Sequence, residues 1–218
     1  MKHTLEVDSV QLSYGDRKIL SDVYLKCETG KVTALLGRNG EGKTSLLRAT
    51  FGTLDAEKSV RFDKRAVQRA FKQPGLIRYL PQFHFIPSFK RLGGAFRDYD
   101  VSLAEFKNCF ELRLGSGESF GNLSGGERRL VEVFIVIKSK CQFALLDEPF
   151  THLSPLQIDT VKSLISDEKT NKGFLINDHL YEHVLGMADD VYLLTDGRVR
   201  KTSGARDLEE HGYVNWSG

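Results

Sequence analysis

At 218 residues the chain is long enough for one well-cored domain with elaborations, or for two small ones at most. Lys plus Arg number 31 against 29 Asp plus Glu, a net charge of +2, so no large single-signed field points to nucleic acid or to an acidic membrane. Its 40% hydrophobic and 28% charged residues are ordinary globular composition, and the three cysteines, Cys27, Cys109 and Cys141, fit neither a disulfide framework nor a zinc site.

The N-terminal third reads as strands. Leu5 to Leu12 and Val23 to Glu28 alternate apolar and polar residues at period two, which predicts a half-buried antiparallel sheet. Lys31 to Leu36 is apolar nearly throughout, as a strand covered on both faces would be. The helical run Ser45 to Arg48 follows a glycine-rich loop. Between Asn122 and Ile137 a second glycine turn opens a strongly apolar helix. Phe143 to Leu146 is a buried strand, after which Ser154 and Pro155 supply an N-cap and a first-turn proline. The helix they start carries Ile158, Val161, Leu164 and Ile165 on one face and stops before Gly173. A strand at Phe174 to Ile176, a short helix from about Leu180 and a strand at Val191 to Leu194 follow, and the Asp196-Gly197 turn closes a terminal hairpin. Alternating strands and helices behind an antiparallel flap predict an α/β fold with a mainly parallel sheet. No apolar run approaches the roughly 18 to 20 residues that span a bilayer, and Met1 to Glu6 turns polar too soon for a signal peptide.

Two stretches carry phosphate chemistry. Gly37-Arg38-Asn39-Gly40-Glu41-Gly42-Lys43-Thr44 matches G-x-x-x-x-G-K-[ST] between the buried strand and a helix. Its glycines let backbone N–H groups point at phosphate oxygens, and the helix N-terminus adds its positive dipole end. Lys43 is placed to reach the β- and γ-phosphates and the Thr44 hydroxyl to ligate magnesium. Asp147, at the end of the strand Phe143 to Leu146, is a candidate magnesium holder through water, and Glu148 a candidate general base for an attacking water. The pair points to hydrolysis beyond binding.

Asn122-Leu123-Ser124-Gly125-Gly126-Glu127 offers a second anion clamp: the Ser124 hydroxyl, the Gly125 and Gly126 amides and a helix N-terminus behind them. The same residues read equally as a capping box, Ser124 with Glu127 three residues on.

With these motifs in place the sequence resembles the ATP-binding cassette (ABC) ATPases, the nucleotide-binding subunits of ABC transporters and their soluble relatives. GRNGEGKT resembles their Walker A loop, continuing into Ser45; FALLDE resembles their Walker B; LSGGE resembles the signature that defines them. Tyr14 is similar to the aromatic that stacks on adenine, Gln82 in Tyr79-Leu80-Pro81-Gln82 to the Q-loop glutamine beside the metal, and His179 to the switch histidine at the γ-phosphate. The aromatic and proline series Phe83, His84, Phe85, Ile86 and Pro87 reads as an exposed, mobile segment after Gln82. His183, four residues past His179, reads as a bystander, because the intervening residues lack the HExxH arrangement.

The resemblance implies a single P-loop NTPase domain over residues 1–218, with helices on both faces of the sheet and a short helical subdomain at roughly 83–138. It implies ATP and magnesium as ligands, and a homodimer in which the signature of one subunit closes over the Walker A site of the other. It also implies a transmembrane permease partner that holds the protein at the cytoplasmic face of the membrane. A soluble assembly or remodelling ATPase and a weakly hydrolysing nucleotide sensor stay open as alternatives. Nucleic acid is not expected; the basic cluster Lys58, Arg61, Lys64, Arg65, Arg69 and Lys72 reads as a solvated face. Three departures stand out: Ser154 where the family usually ends its loop in aspartate, Arg128 and Arg129 set one position early, and a short stretch from Gln82 to Ser124.

Overall fold

The alternation in the first third builds a twisted hairpin. β1 (Thr4–Tyr14) pairs antiparallel with β2 (Arg17–Glu28), and Leu5, Val7, Val10 and Leu12 all point inward. The change of phase between Val7 and Val10 is absorbed by a bulge at Ser9, whose φ is +52°. The computed structural model describes residues 2–202 together with 207–208. β1 continues onto β4 (Glu57–Phe62) and then β5 (Arg65–Ala66), giving the sheet order β2-β1-β4-β5.

The second sheet runs β10-β9-β3-β8-β7-β6. Its members are β3 (Val32–Leu36), β6 (Ile77–Leu80), β7 (Phe143–Asp147), β8 (Gly173–Asn177), β9 (Asp190–Thr195) and β10 (Arg198–Thr202). All neighbours pair parallel except β9 and β10, the hairpin closed by Asp196 (φ +49°) and Gly197 (φ +72°), a turn that suits the sheet's right-handed twist. Every residue of β3, β7 and β8 is buried, because both faces are covered.

The two faces feed two cores. On one side Leu35, Leu145 and Leu175 meet α1 (Lys43–Phe51) and the antiparallel sheet. On the other, Ala34, Leu146 and Ile176 meet α4 (Gly125–Lys138), α5 (Pro155–Glu168) and α6 (Tyr181–Leu185). α4 is buried continuously from Arg129 to Ile137, its apolar residues packed on all sides and its Arg129 and Glu132 side chains hydrogen-bonded. Within the predicted helical segment, α2 (Leu92–Asp98) and α3 (Leu103–Phe110) join α4 through a phenylalanine cluster, with Phe106 at 5.2 Å from Phe134 and 5.5 Å from Phe96 between ring centroids. Each fully buried ring contributes about 2 to 3 kcal/mol.

The basic cluster is partly spoken for: Arg61 lies on β4 with its Nη2 2.7 Å from Asp8 Oδ2. The three cysteines are free thiols, Cys27 buried and pushed up to about 12 by burial. Among the described residues no helix is long and apolar enough to cross a membrane.

Candidate functional site

The glycine loop between β3 and α1 wraps one end of an open cleft of about 610 Å³. Gly42 caps α1 with φ +102°, and a side chain there would meet Ile19 Cγ2 at 2.8 Å, so both backbone and space require glycine. Asn39, Gly40, Gly42, Lys43, Thr44 and Ser45 line the cleft. Gly37, Arg38 and Glu41 shape the loop from behind: the Lys43 ammonium donates to the Gly37 carbonyl (2.6 Å) and the Arg38 carbonyl (3.0 Å), while Glu41 Oε2 accepts from the Asp196 N–H (2.9 Å). Burial lowers the Lys43 pKa, opposed by the Glu148, Asp147 and Glu41 carboxylates.

Across the cleft stand Tyr14, Gln82, Glu148, Asn177 and His179. Tyr14 ends β1 with 55% of its surface exposed, an aromatic face at the rim free to stack. Glu148 leaves β7 with φ +53°, a conformation costing a non-glycine residue about 1 to 3 kcal/mol, and its N–H donates to the Asn177 carbonyl at 2.7 Å. That turn aims the carboxylate into the cleft, 3.6 Å from His179 Nδ1. His183 is not part of this group; it packs edge-on to Phe150 at 5.9 Å.

Asp147 sits beneath the cleft floor, fully buried. Its Oδ1 accepts from Thr44 Oγ1 (3.1 Å) and from the Asn177 amide, and its Oδ2 from the Tyr79 hydroxyl (2.9 Å). Burial raises its pKa, with the Tyr79 and Thr44 hydrogen bonds opposing. Thr44 and Asp147 thus bring two hard oxygen donors together, suited to an ion that takes one or two protein ligands and completes its shell with water and phosphate. Among the described residues no group of three or more His, Cys, Asp or Glu gathers as a chelate.

The signature stretch does not join this cleft. Ser124 caps α4, accepting from the Glu127 N–H (3.2 Å) while Glu127 Oε2 accepts from the Ser124 N–H (2.8 Å), so the capping box is formed. Gly125 begins the helix, and Gly126 lies so near the loop after Glu148 that an added Cβ would sit 3.0 Å from the His152 carbonyl. Ser154, at the departure from the family pattern, caps α5 through a second capping box with Gln157.

One expectation is corrected. The series after Gln82 is not uniformly exposed: Phe83 is 67% exposed, yet Ile86 is buried and Phe85 packs edge-on against Tyr99. The buried Glu132 tethers it, accepting from His84 Nδ1 (2.8 Å) and from the Phe85 (3.0 Å) and Ile86 (3.2 Å) N–H groups. The sequence marks Arg129 only as a charge set one position early and gives Tyr79, Asn177 and Glu132 no role. The available signal was a polar residue standing within an apolar strand or helix, which must find a partner when buried.

A phosphate loop after β3 and an acid pair at the end of β7, parallel strands of one sheet with β8 between them, define a P-loop nucleotide-binding fold. The sequence profile described as ABC transporter matches residues 20–151, and the chain belongs to that family. A probable ABC transporter ATP-binding protein from Azorhizobium caulinodans is 32% identical over 207 residues, covering 86% of this chain and 72% of that one. The lipopolysaccharide export system ATP-binding protein LptB of Acidithiobacillus ferridurans is 30% identical over 233 residues, covering 98% and 95%. A solved ATP-binding subunit of an ABC transporter shares the fold, with a TM-score of 0.80 at 22% identity over 96% of this chain and 93% of that one.

Proposed function

We propose that the protein is the ATP-hydrolysing subunit that powers an ABC transporter through ATP-driven dimer closure. The observation that carries this reading is the meeting of Lys43, Thr44, Glu148 and His179 around one cleft, with Asp147 bonded to Thr44 at its floor.

In this reading Tyr14 stacks on the base, residues 37–42 and Ser45 wrap the phosphates with backbone N–H groups, and the Lys43 ammonium exchanges the Gly37 and Arg38 carbonyls for phosphate oxygens. Thr44, Gln82 and Asp147 would hold magnesium, which would supply positive charge to the phosphate oxygens. Glu148 takes a proton from the attacking water while the bond from the γ-phosphorus to the bridging oxygen breaks, and His179 and Gln82 orient the γ-phosphate. The family's practice assigns Ser124, Gly125, Gly126 and Glu127 to a second subunit's nucleotide, and their separation from this chain's own cleft supports that assignment. A transmembrane permease then holds the dimer at the cytoplasmic face and sets the cargo.

Phosphate release from ATP with magnesium tests the reading. The native chain is expected to turn over, and Glu148→Gln to bind ATP while losing about 10²- to 10⁴-fold in rate. Turnover in Glu148→Gln equal to the native rate would exclude Glu148 as the base.

A further inference from the structure

The Asp147 carboxylate is held by its own sheet. Asn177 is its register partner on β8, and Tyr79 on β6 is opposite Leu145, two residues back on the same face of β7. One donor therefore reaches Asp147 from each neighbouring strand: the Asn177 amide to Oδ1 and the Tyr79 hydroxyl to Oδ2, with Thr44 from α1 sharing Oδ1. An ionised carboxylate offers about four acceptor positions, so three bonds leave the group little freedom to rotate. Asn177 also ties in the second acid, its main-chain carbonyl accepting from the Glu148 N–H at 2.7 Å.

Asn177 is 1% exposed, and its Oδ1 is buried without a hydrogen-bond partner among the described residues, although the residue lines the cleft. A buried amide with one end committed to Asp147 and the other unmet is costly as mere filling for a strand, where an apolar side chain would pack without that penalty.

We propose that Tyr79 and Asn177 are positioning residues that fix the orientation of the Asp147 carboxylate toward a divalent cation bound with the nucleotide. The inference rests on the reading of Asp147 as the metal-holding acid. Hydrogen-bonded partners behind a ligand typically change metal affinity 10- to 100-fold when removed. Tyr79 bonds Asp147 from outside the cleft lining, so nucleotide grip without metal stays as it is when its hydroxyl is removed.

The test is a titration of Mn²⁺, followed by electron paramagnetic resonance, into the full chain saturated with a β,γ-imido analogue of ATP. Tyr79→Phe and Asn177→Leu are each expected to weaken Mn²⁺ by about 10-fold or more, and the double variant further. Affinity of Tyr79→Phe for the analogue in EDTA is expected to stay at the native value. Asp147→Asn serves as the reference. If it loses Mn²⁺ while Tyr79→Phe and Asn177→Leu bind as the native chain does, the positioning role is overturned and Asp147 keeps its own. If Asp147→Asn binds Mn²⁺ like the native chain, the underlying metal reading is overturned. Should Asn177→Leu fail to fold by thermal melt, Tyr79→Phe decides, since it deletes a single hydroxyl.

Discussion

The guanidinium of Arg129, on the signature helix, donates through Nη2 to the main-chain carbonyl of Glu148 at 2.8 Å. The same nitrogen reaches the Asp147 carbonyl (2.6 Å), and Nη1 reaches that of Pro81 (2.7 Å), just before Gln82. One buried side chain thereby ties α4, the strand end bearing the acid pair and the start of the Gln82 segment together. Removing it leaves buried carbonyls unmet, so Arg129→Met is expected to cost about 3 kcal/mol. For a chain of this size that lowers the melting temperature by about 6 to 12 °C. Arg129→Lys should recover little, because an ammonium cannot reproduce the planar fork. Thermal denaturation checks both; a melting temperature unchanged in Arg129→Met would contradict the assignment.

Glu132, also on α4, holds the segment after Gln82 from the other side. In Glu132→Gln the charge assistance to the Phe85 and Ile86 amides is lost, and the new amide nitrogen faces His84 Nδ1, which must change tautomer to accept from it. The Phe85 and Ile86 amides should then exchange with deuterium about 10-fold faster, a change of about 1.4 kcal/mol in local opening. Amides of β7 and β8 should keep their protection, which separates local release from global unfolding.

Acid sensitivity is expected where Lys31 bridges Glu28 of β2 and Asp190 of β9. Lys26 and Lys31 hydrogen bonds hold Glu28 below its usual value of 4.5. Burial alone would raise Asp190, but hydrogen bonds from Lys201 and Lys31 outweigh it and hold the group below 3.8. Both carboxylates have depressed folded values, so their contribution is present above the unfolded values and lost as pH falls through the folded ones. Melting temperature should therefore drop below about pH 4.5, and Glu28→Gln with Asp190→Asn should shrink that drop. Each partly exposed pair contributes about 1 kcal/mol or less, so the effect at pH 7 is small.

Tyr14 touches the cleft at its rim and is mostly exposed. Tyr14→Ala is expected to weaken ATP about 10-fold, the loss of one base-stacking surface, with melting temperature unchanged. Equilibrium titration with a fluorescent ATP analogue reads this directly, and native affinity in Tyr14→Ala would remove the residue from the site.

How legible the molecule was depends on where each signal resides. Local chemistry was readable: Ser154 and Pro155 start α5, Asp196-Gly197 turns the last hairpin, and the uniformly apolar runs became the buried strands β3, β7 and β8. Elements sustained only by tertiary packing were not. β4 carries charges at Glu57, Lys58 and Arg61, and β6 has only four residues, so neither makes a convincing period on its own. α2 contains Gly93 and Gly94, poor helix formers, and exists because Leu92, Ala95 and Phe96 bury against the α3 and α4 aromatics. The loop and acid motifs were legible because phosphate chemistry restricts residue types at fixed spacing. Tyr79 and Asn177 were not, because their meaning depends on strand register, which links residues 68 and 30 positions from Asp147.

In the proposed function, ATP joins two copies of this chain across the phosphate loop and the signature. Light scattering of purified Glu148→Gln with ATP and magnesium tests it most directly. A species of twice the 24.6 kDa of one chain is expected, returning to a single chain when Lys43→Ala is added to the same variant. A mass of one chain at saturating ATP, or a dimer indifferent to nucleotide, would contradict it.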